Sequence, residues 1–568
     1  MNPVKLTLIA LAAVAISACS VVSPIVGDYA ARLVTSKESD FGNMSVSVIT
    51  SSNLDPIDKI ANTRSQQQNW IVGGNAVAIL ATNPRGIGLV NFDGEVIIDG
   101  EPATVMSLQN FRIYEAGVTG TKNVIMRNAA GQELNINVTI PPDIRITAVN
   151  DQSPDAVTLD LREPVTLQLE YDAALEGKIA TVSLVSDTGL PMGTHLYNNV
   201  ASFAVASQVT IPAGAFRNPH TTGGITLDGT SKMKYREDGY LRIKVSQVEH
   251  PQNNPGFAEF RVVQDSYDTV PLTITAQPEG IRNSSTVRAK RTVEGVSGEY
   301  GYFASVANGY HGVPLSGAGT RMGIASLSVT ADLYEQTSNT TSRENYFQET
   351  ITYTTITTTF QFPQLDDAFW DQFLSNVHGD ITTMLQNNGL TVVPTERFTS
   401  SPVYDEFFDV REENTQRFLS KKYGQTNRLV PSGLSETLGN MEAVNFMPEV
   451  GRDIRLLNDA DADAYLSVDL NFQVAGGPDD TIVLLPRLNY IVTGRSIGGD
   501  GAVSAFANGT IAGPGVPFSE TDFEDLNGLD RATQRVRLME FMKESLDGLI
   551  QAQNDMHATE AWAVAPRF

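Results

Sequence analysis

Six histidines, at positions 195, 220, 250, 311, 378 and 557, are the side chains best suited to acid–base or metal chemistry near neutral pH. No two stand three or four residues apart, the spacing by which one helix face presents paired ligands, so a zinc site is not expected. Asp459, Asp461 and Asp463 reproduce the first half of an EF-hand loop. Ala464 then stands where that loop needs its turn glycine, and Leu470 where it needs a bidentate glutamate. The three aspartates therefore read as an acidic loop before a strand, and they are the one calcium candidate of the chain. Glu520 with Asp522, and Glu524 with Asp525, could divide acid and base work only if the fold closed a cleft around them. In a Gly- and Pro-containing connection they read as solvated. No G-x-S-x-G elbow is present. Gly317-x-Gly319-x-x-x-Gly323 misses the dinucleotide-binding spacing by one residue and precedes a strand. No catalytic residue is assigned, and no dissociable cofactor is expected.

The single cysteine, Cys19, invites a different chemistry. Lys5 supplies a positive start, Leu6 to Ile16 an apolar run, and Ser17-Ala18 the small residues that precede a cut in an export signal. The run is shorter than the roughly 20 residues a spanning helix needs. Ile16-Ser17-Ala18-Cys19 resembles the bacterial lipobox. That resemblance implies that residues 1–18 are a signal peptide and that Cys19 carries lipid on its sulfur and amine. Ser20 stands where an Asp commonly retains such lipoproteins in the inner membrane, which implies lipid attachment at the outer membrane, facing the periplasm or the surface.

Elsewhere the chain has no thiol, so disulfides cannot hold it together in an oxidising compartment and its 568 residues must rely on packed cores. A net charge of −25 argues against nucleic acid, whose phosphates need a basic face. The same charge repels an anionic bilayer, so membrane attachment is assigned to the lipid alone.

The elements that would position any site follow from periodicity. Residues 19–68 read as a lipidated tether with an amphipathic piece at 25–34 and a possible strand at 44–49. From Trp70, short alternating segments separated by turns such as Asp93-Gly94 and Asp99-Gly100 predict a first β-sandwich over 69–142, closed by Pro141-Pro142. A second set, typified by Val165-Thr166-Leu167-Gln168-Leu169-Glu170-Tyr171, predicts another sandwich over 143–268. The pattern over about 70–268 resembles immunoglobulin-like modules of exported bacterial proteins, without their Cys pair and core Trp. Residues 269–319 lose periodicity and read as a linker. Its basic cluster, Arg288, Lys290 and Arg291, is expected to meet acidic neighbours of the same chain, with an anionic partner as the other reading.

Residues 320–568 read as an α/β domain. Strands at 323–333 and 347–362 flank a polar turn at 337–344, and the second strand is dominated by threonine, whose branching favours extended backbone. Membrane strands need an outward apolar band; both alternating sets of 350–359 are too polar for one, so the hairpin reads as a sheet extension. Phe369, Phe373, Val377, Ile381, Met384 and Leu385 share one side of a helix over 366–387, stopped by Asn388-Gly389. A helix at 405–423, another at 449–459, strands at 464–474, 482–494 and 502–511 and a closing helix at 529–557 complete the order. The stretches 385–394 and 461–468 resemble the helix–NG–strand and aDayl motifs of periplasmic lipoproteins related to the curli secretion lipoprotein and to the N-terminal domain of TolB. Relatives of that kind bind proteins, and the curli one assembles a ring-shaped pore.

The expectation is a multidomain chain, two all-β immunoglobulin-like sandwiches followed by an α/β domain with helices on a mixed sheet. The function expected is a non-enzymatic, lipid-anchored envelope protein that binds, scaffolds or helps assemble another envelope component, protein or glycan, with a homo-oligomer compatible. The rivals are a glycan-active hydrolase and an outward-facing glycan-binding adhesin.

Overall fold

Alternation of apolar and polar side chains builds the strands first. Along Val165–Tyr171 the buried positions are Val165, Leu167 and Leu169, the exposed ones Gln168 and Glu170, so a single face carries the packing. The computed structural model describes residues 36–54, 71–82, 90–106, 109–187, 195–219, 237–249, 251, 254–278, 281–282, 285–293, 298–306, 312–315, 320–332, 334–345, 350–361, 365, 367–402, 404, 418–422, 452–477, 481–495 and 503–562. Among them the chain is mostly β-sheet, with a C-terminal helical segment. None of these helices is long and apolar enough to cross a membrane.

The first part contributes β1 (Ser45–Ser52), β2 (Asn75–Thr82), β3 (Gly94–Ile98), β4 (Gln109–Tyr114), β5 (Thr121–Asn128) and β6 (Glu133–Thr139). The middle part adds β7 (Ile144–Val149), β8 (Val157–Asp160), β9 (Val165–Tyr171), β10 (Ile179–Asp187), β11 (His195–Ala204), β12 (Gln208–Ile211), β13 (Asp238–Glu249) and β14 (Glu259–Ala276). One large sheet runs β11–β10–β13–β14–β1–β2–β4, with the short strand Thr104–Met106 at its edge and β8 also on β14. Smaller sheets, β6–β5–β3 and β7–β9–β12, supply the other strands of two apolar clusters.

β14 explains how those clusters are joined. Its first half places Phe260 and Val262 in the cluster with Val46, Val77, Val124 and Val138; its second half places Val270, Leu272 and Ile274 in the cluster with Leu167, Val182 and Ile243. β1 lies parallel to residues 259–266, a pairing that crosses more than 200 positions of sequence and that no local pattern announces. Two differences from the sequence reading result. The strand expected at 44–49 is present over residues 45–52, but as an interior strand and not part of a tether, and residues 269–276, expected as the start of a linker, are the far half of β14.

Further described residues of the expected linker are also strands. β15 (Ser285–Thr292) and β16 (Glu299–Val306) form the edge of a sheet completed by β17 (Arg321–Asp332), β20 (Thr391–Val393), β22 (Ala464–Gly476), β23 (Ile482–Arg495) and β24 (Val503–Ala512). Its order is β15–β16–β24–β23–β22–β17–β20, with β17 parallel to both β20 and β22. A separate two-stranded ladder pairs β18 (Tyr334–Asn345) with β19 (Thr350–Gln361). The polar stretch 337–344, expected as a turn, is therefore the body of β18, because its partner strand fixes it in extended form.

Helices α1 (Asp367–Asn387) and α5 (Arg535–Glu560) cover one face of this sheet. Phe373, Val377, Ile381 and Leu385 of α1 are buried there as their spacing requires, joined by Trp370 and Leu374, and Gly389 leaves the helix at φ 78°, the left-handed conformation that favours glycine. At one end of the other face, α2 (Thr395–Thr399) and α3 (Arg452–Asp459) enclose a small cluster with Phe398, Leu456, Leu457 and Tyr465. The expected helix at 405–423 is corrected where it is described. β21 (Phe418–Lys422) is a strand antiparallel to residues 328–332 of β17, held by a distant ladder and not by its own periodicity. The expected closing helix is two: α4 (Leu526–Thr533) ends at Gln534, whose φ of 53° breaks the turn before α5 begins.

Candidate functional site

Cys19 and residues 1–35 lie outside the described residues. The acidic triplet is described, and the fold assigns each member to a different partner. Asp459, at the end of α3, accepts from the Ser401 hydroxyl; Asp461 pairs with Arg321 and, at 3.6 Å, with Arg397; buried Asp463 accepts from the Arg321 backbone N–H at 2.7 Å. Asp461 sits at φ 51°. The carboxylates fasten the end of α3 to the segment after α2, and the start of β22 to β17.

The second acidic group is likewise drawn into local structure. The backbone N–H of Ser519 holds Asp522 below the usual carboxylate range, burial opposes this, and the Ser519 hydroxyl and Arg531 add to the lowering. Asp525 caps α4 by accepting from the Gly528 N–H at 2.6 Å. Neither of these aspartates faces a cleft partner. The basic cluster divides by strand alternation. Arg291 points toward α5, pairing with Glu544 at 2.6 Å and lying over the Phe541 ring at 4.5 Å, whereas Arg288 and Lys290 belong to the opposite face.

That opposite face is the broadest organised surface in the C-terminal sheet. Tyr300, Ala304 and Val306 of β16, Leu488, Tyr490 and Val492 of β23, and Leu466, Val468 and Leu470 of β22 all face the helices. Their alternates therefore look the other way. Strand register sets these in rows: Arg288, Phe303, Thr510, Asn489, Asp469 and Ser328 make one, and Lys290, Gly301, Ala512, Arg487, Asn471 and Thr330 make the next. Toward β17 the rows are covered, with Ser328 and Thr330 buried; toward β15 they open, with Arg288, Lys290, Phe303, Thr510 and Arg487 exposed.

No protein-family model matches the chain, and no curated protein or solved structure matches it. The chemistry must be read from the face itself. Hydrogen bonds tie neighbouring strands across it, from Ser305 to Asn508 Oδ1 at 3.2 Å, from Thr510 to Asn489 Oδ1 at 3.0 Å and from Ser328 to Asp469 at 2.7 Å. In both asparagines the bond is to the carbonyl oxygen, and the amide NH2 makes no hydrogen bond among the described residues. The site is an open sheet face, rich in donors, with one exposed ring. Sequence reasoning singled out Arg288 and Lys290 but missed Phe303, Arg487, Asn489 and Thr510, because only the pairing of β15, β16, β24 and β23 brings them together.

Proposed function

We propose that this chain is a lipid-anchored protein of the cell envelope that binds another envelope component and performs no catalysis. In this reading two immunoglobulin-like β-sandwiches carry a C-terminal α/β module away from the membrane. The anchoring half is supported by the export-type segment that ends in Ile16-Ser17-Ala18-Cys19. The binding half is supported by the open face of the C-terminal sheet. A level surface of exposed cations, amide donors and Phe303 suits recognition, while acid–base hydrolysis of a glycan needs two carboxyl groups facing each other across a cleft. An outer-membrane location follows from Ser20 by the same resemblance.

Two measurements test the reading. Wild-type protein is expected in the membrane fraction and Cys19→Ala in the soluble envelope fraction; equal distribution removes the anchor. A photoreactive residue at position 303 is expected to trap an envelope component that the same residue at the exposed position 551, on α5, does not trap. Identical products at both positions, or none at 303, remove the binding face.

A further inference from the structure

Three cations of the open face make no hydrogen bond or ion pair among the described residues. Arg288, Lys290 and Arg487 are all exposed there, in a chain whose 65 acidic residues outnumber its 40 basic ones. Surplus acid elsewhere makes it easy to neutralise a cation internally, as Arg291 does with Glu544. Three cations left unpaired on one face therefore mark where an anion from outside gains most.

The floor between them is shaped by small residues. Along one row, Lys290 stands opposite Gly301, Gly301 opposite Ala512 and Ala512 opposite Arg487. A Cβ on Gly301 would lie 3.2 Å from Lys290 Cγ, so the missing side chain lets the lysine stem lie across the strand. With strands about 4.8 Å apart, Lys290 and Arg487 bracket a shallow trough roughly 14 Å long. The adjoining row walls it with Phe303, 51% exposed, and with Thr510. Phe303 is the one aromatic among the large apolar side chains that stand exposed in the described residues. Among the described residues of this face, exposed Glu299 stands in the row on the other side, two positions from Gly301, and Asp469, bonded to Ser328, lies one strand beyond Asn489.

We infer that the trough binds an anionic polysaccharide, with a sugar ring over Ala512 against Phe303 and its acid group between Lys290 and Arg487. This inference rests on the reading of the face as a binding surface and names its ligand class. The amides of Asn489 and Asn508 and the Thr510 hydroxyl match the hydroxyl-rich edge of a sugar chain. An acidic peptide laid over the trough would find no free backbone there, because β16, β24 and β23 have ladder partners on both sides, and the edge of β15 lies outside the trough.

The test is calorimetric titration of the full chain with oligogalacturonate, dextran sulfate, uncharged dextran and polyglutamate. Binding is expected for at least one of the first two and not for dextran; which of them binds distinguishes a ring carboxylate from a sulfate ester. Lys290→Ala and Arg487→Ala should each weaken binding about fivefold to tenfold and flatten its salt dependence. Phe303→Ala should weaken it by a similar factor with the salt dependence unchanged. Lys543→Ala, on the helix-covered side, should leave binding as it was. No binding of either anionic sugar overturns the inference, as does polyglutamate binding equally well with Phe303→Ala without effect. If the sugars fail while position 303 still gives its specific cross-link, this inference alone falls; loss of the cross-link removes the binding face as well.

Discussion

Two joints hold the described parts together, and they are built differently. Between the first and middle clusters the joint is a strand, β14, which contributes core side chains to both and pairs along its length with β13. Between the middle and C-terminal clusters it is a helix end, beside the two-residue ladder of Asn218–Pro219 with Ile281–Arg282. α5 buries Leu538, Phe541, Met542, Leu546 and Leu549 in the C-terminal core, and only its last turn reaches the middle part, where the Ser202 N–H donates to the Ala561 carbonyl at 3.2 Å. A shared strand cannot leave one core without disturbing the other, because its hydrogen-bond ladder is common to both. A seated helix end can lift while the rest of its helix stays packed. The first two clusters should therefore behave as one cooperative body, and the third as a body docked onto it.

The largest expected effect tests the shared strand. Leu272→Ala, at a fully packed position of β14, should cost about 2–5 kcal/mol through lost burial and the cavity left behind. If β14 couples the clusters, hydrogen exchange should speed up at Val46 and Val48 of the first cluster as well as at Val182 and Ile243 of the middle one. Leu466→Ala in the C-terminal core should spare all four. Faster exchange confined to the middle cluster would break the comparison.

Gly214 tests the helix end. A Cβ there would meet the Thr559 carbonyl oxygen at 2.6 Å, a close approach of backbone to backbone that only glycine permits. Gly214→Val should cost about 1–3 kcal/mol at the joint and expose the Ser202 amide and the last turn of α5 to exchange. The α5 segment 538–549 should keep its protection, since its core is untouched.

Asp268 sharpens the view of the strand joint. Its carboxylate accepts from the Ile146 N–H at 2.6 Å and from Asn53 at 3.1 Å, so residues from before β2, from β7 and from β14 meet at one side chain. Burial raises its proton affinity, against the lowering by those donors and by Arg145. Because burial offsets part of what the bonds contribute, Asp268→Ala should cost only about 1 kcal/mol, read as a shift in the denaturant midpoint with unchanged slope.

Sequence periodicity made much of this legible where structure is local. The alternation of Val165–Tyr171 and the helical stripe of α1 with its Gly389 cap follow from residues a few positions apart. It gave less where the partner is distant. The strand expected at 44–49 is present as β1, but its place beside β14 and not in a tether could not be read locally, and the basic cluster of Arg288, Lys290 and Arg291 could not be divided between faces until β16 lay beside it. Phe418–Lys422 is extended because Ser328–Asp332 pairs with it, and Phe303 is an ordinary aromatic until its row is assembled. Asp459, Asp461, Asp463, Asp522 and Asp525, which sequence spacing brought forward, serve as fastenings and caps in the structure, since short acidic side chains find backbone N–H groups, hydroxyls and arginines nearby.

The smallest effect separates the joints by pH. His557 lies on the last turns of α5, its Nε2 buried without a hydrogen bond among the described residues, and burial lowers its proton affinity. The unfolded chain then takes up a proton near the ordinary histidine value of about 6.5, while the folded chain resists until lower pH. Stability contributed by the neutral form is present above that value and is lost as pH falls through the window below it, since the unfolded state binds more protons there. Asp268 works in the opposite sense. Its proton affinity is raised, so its contribution is favourable below the ordinary carboxylate range and is lost as pH rises through the folded value. Acidification from pH 7 into the histidine window should therefore loosen the helix end while the strand joint holds, with the Ser202 amide exchanging faster and Val46 unchanged after correction for intrinsic rates. His378, which burial lowers in the same direction, should weaken α1 in that window as well. His557→Gln removes the titrating group from α5 and leaves His378 in place, so the acid response at Ser202 should shrink while that of α1 persists. If Ser202 responds equally with and without the imidazole, the acid sensitivity belongs to the C-terminal body as a whole and not to its seat on the middle part.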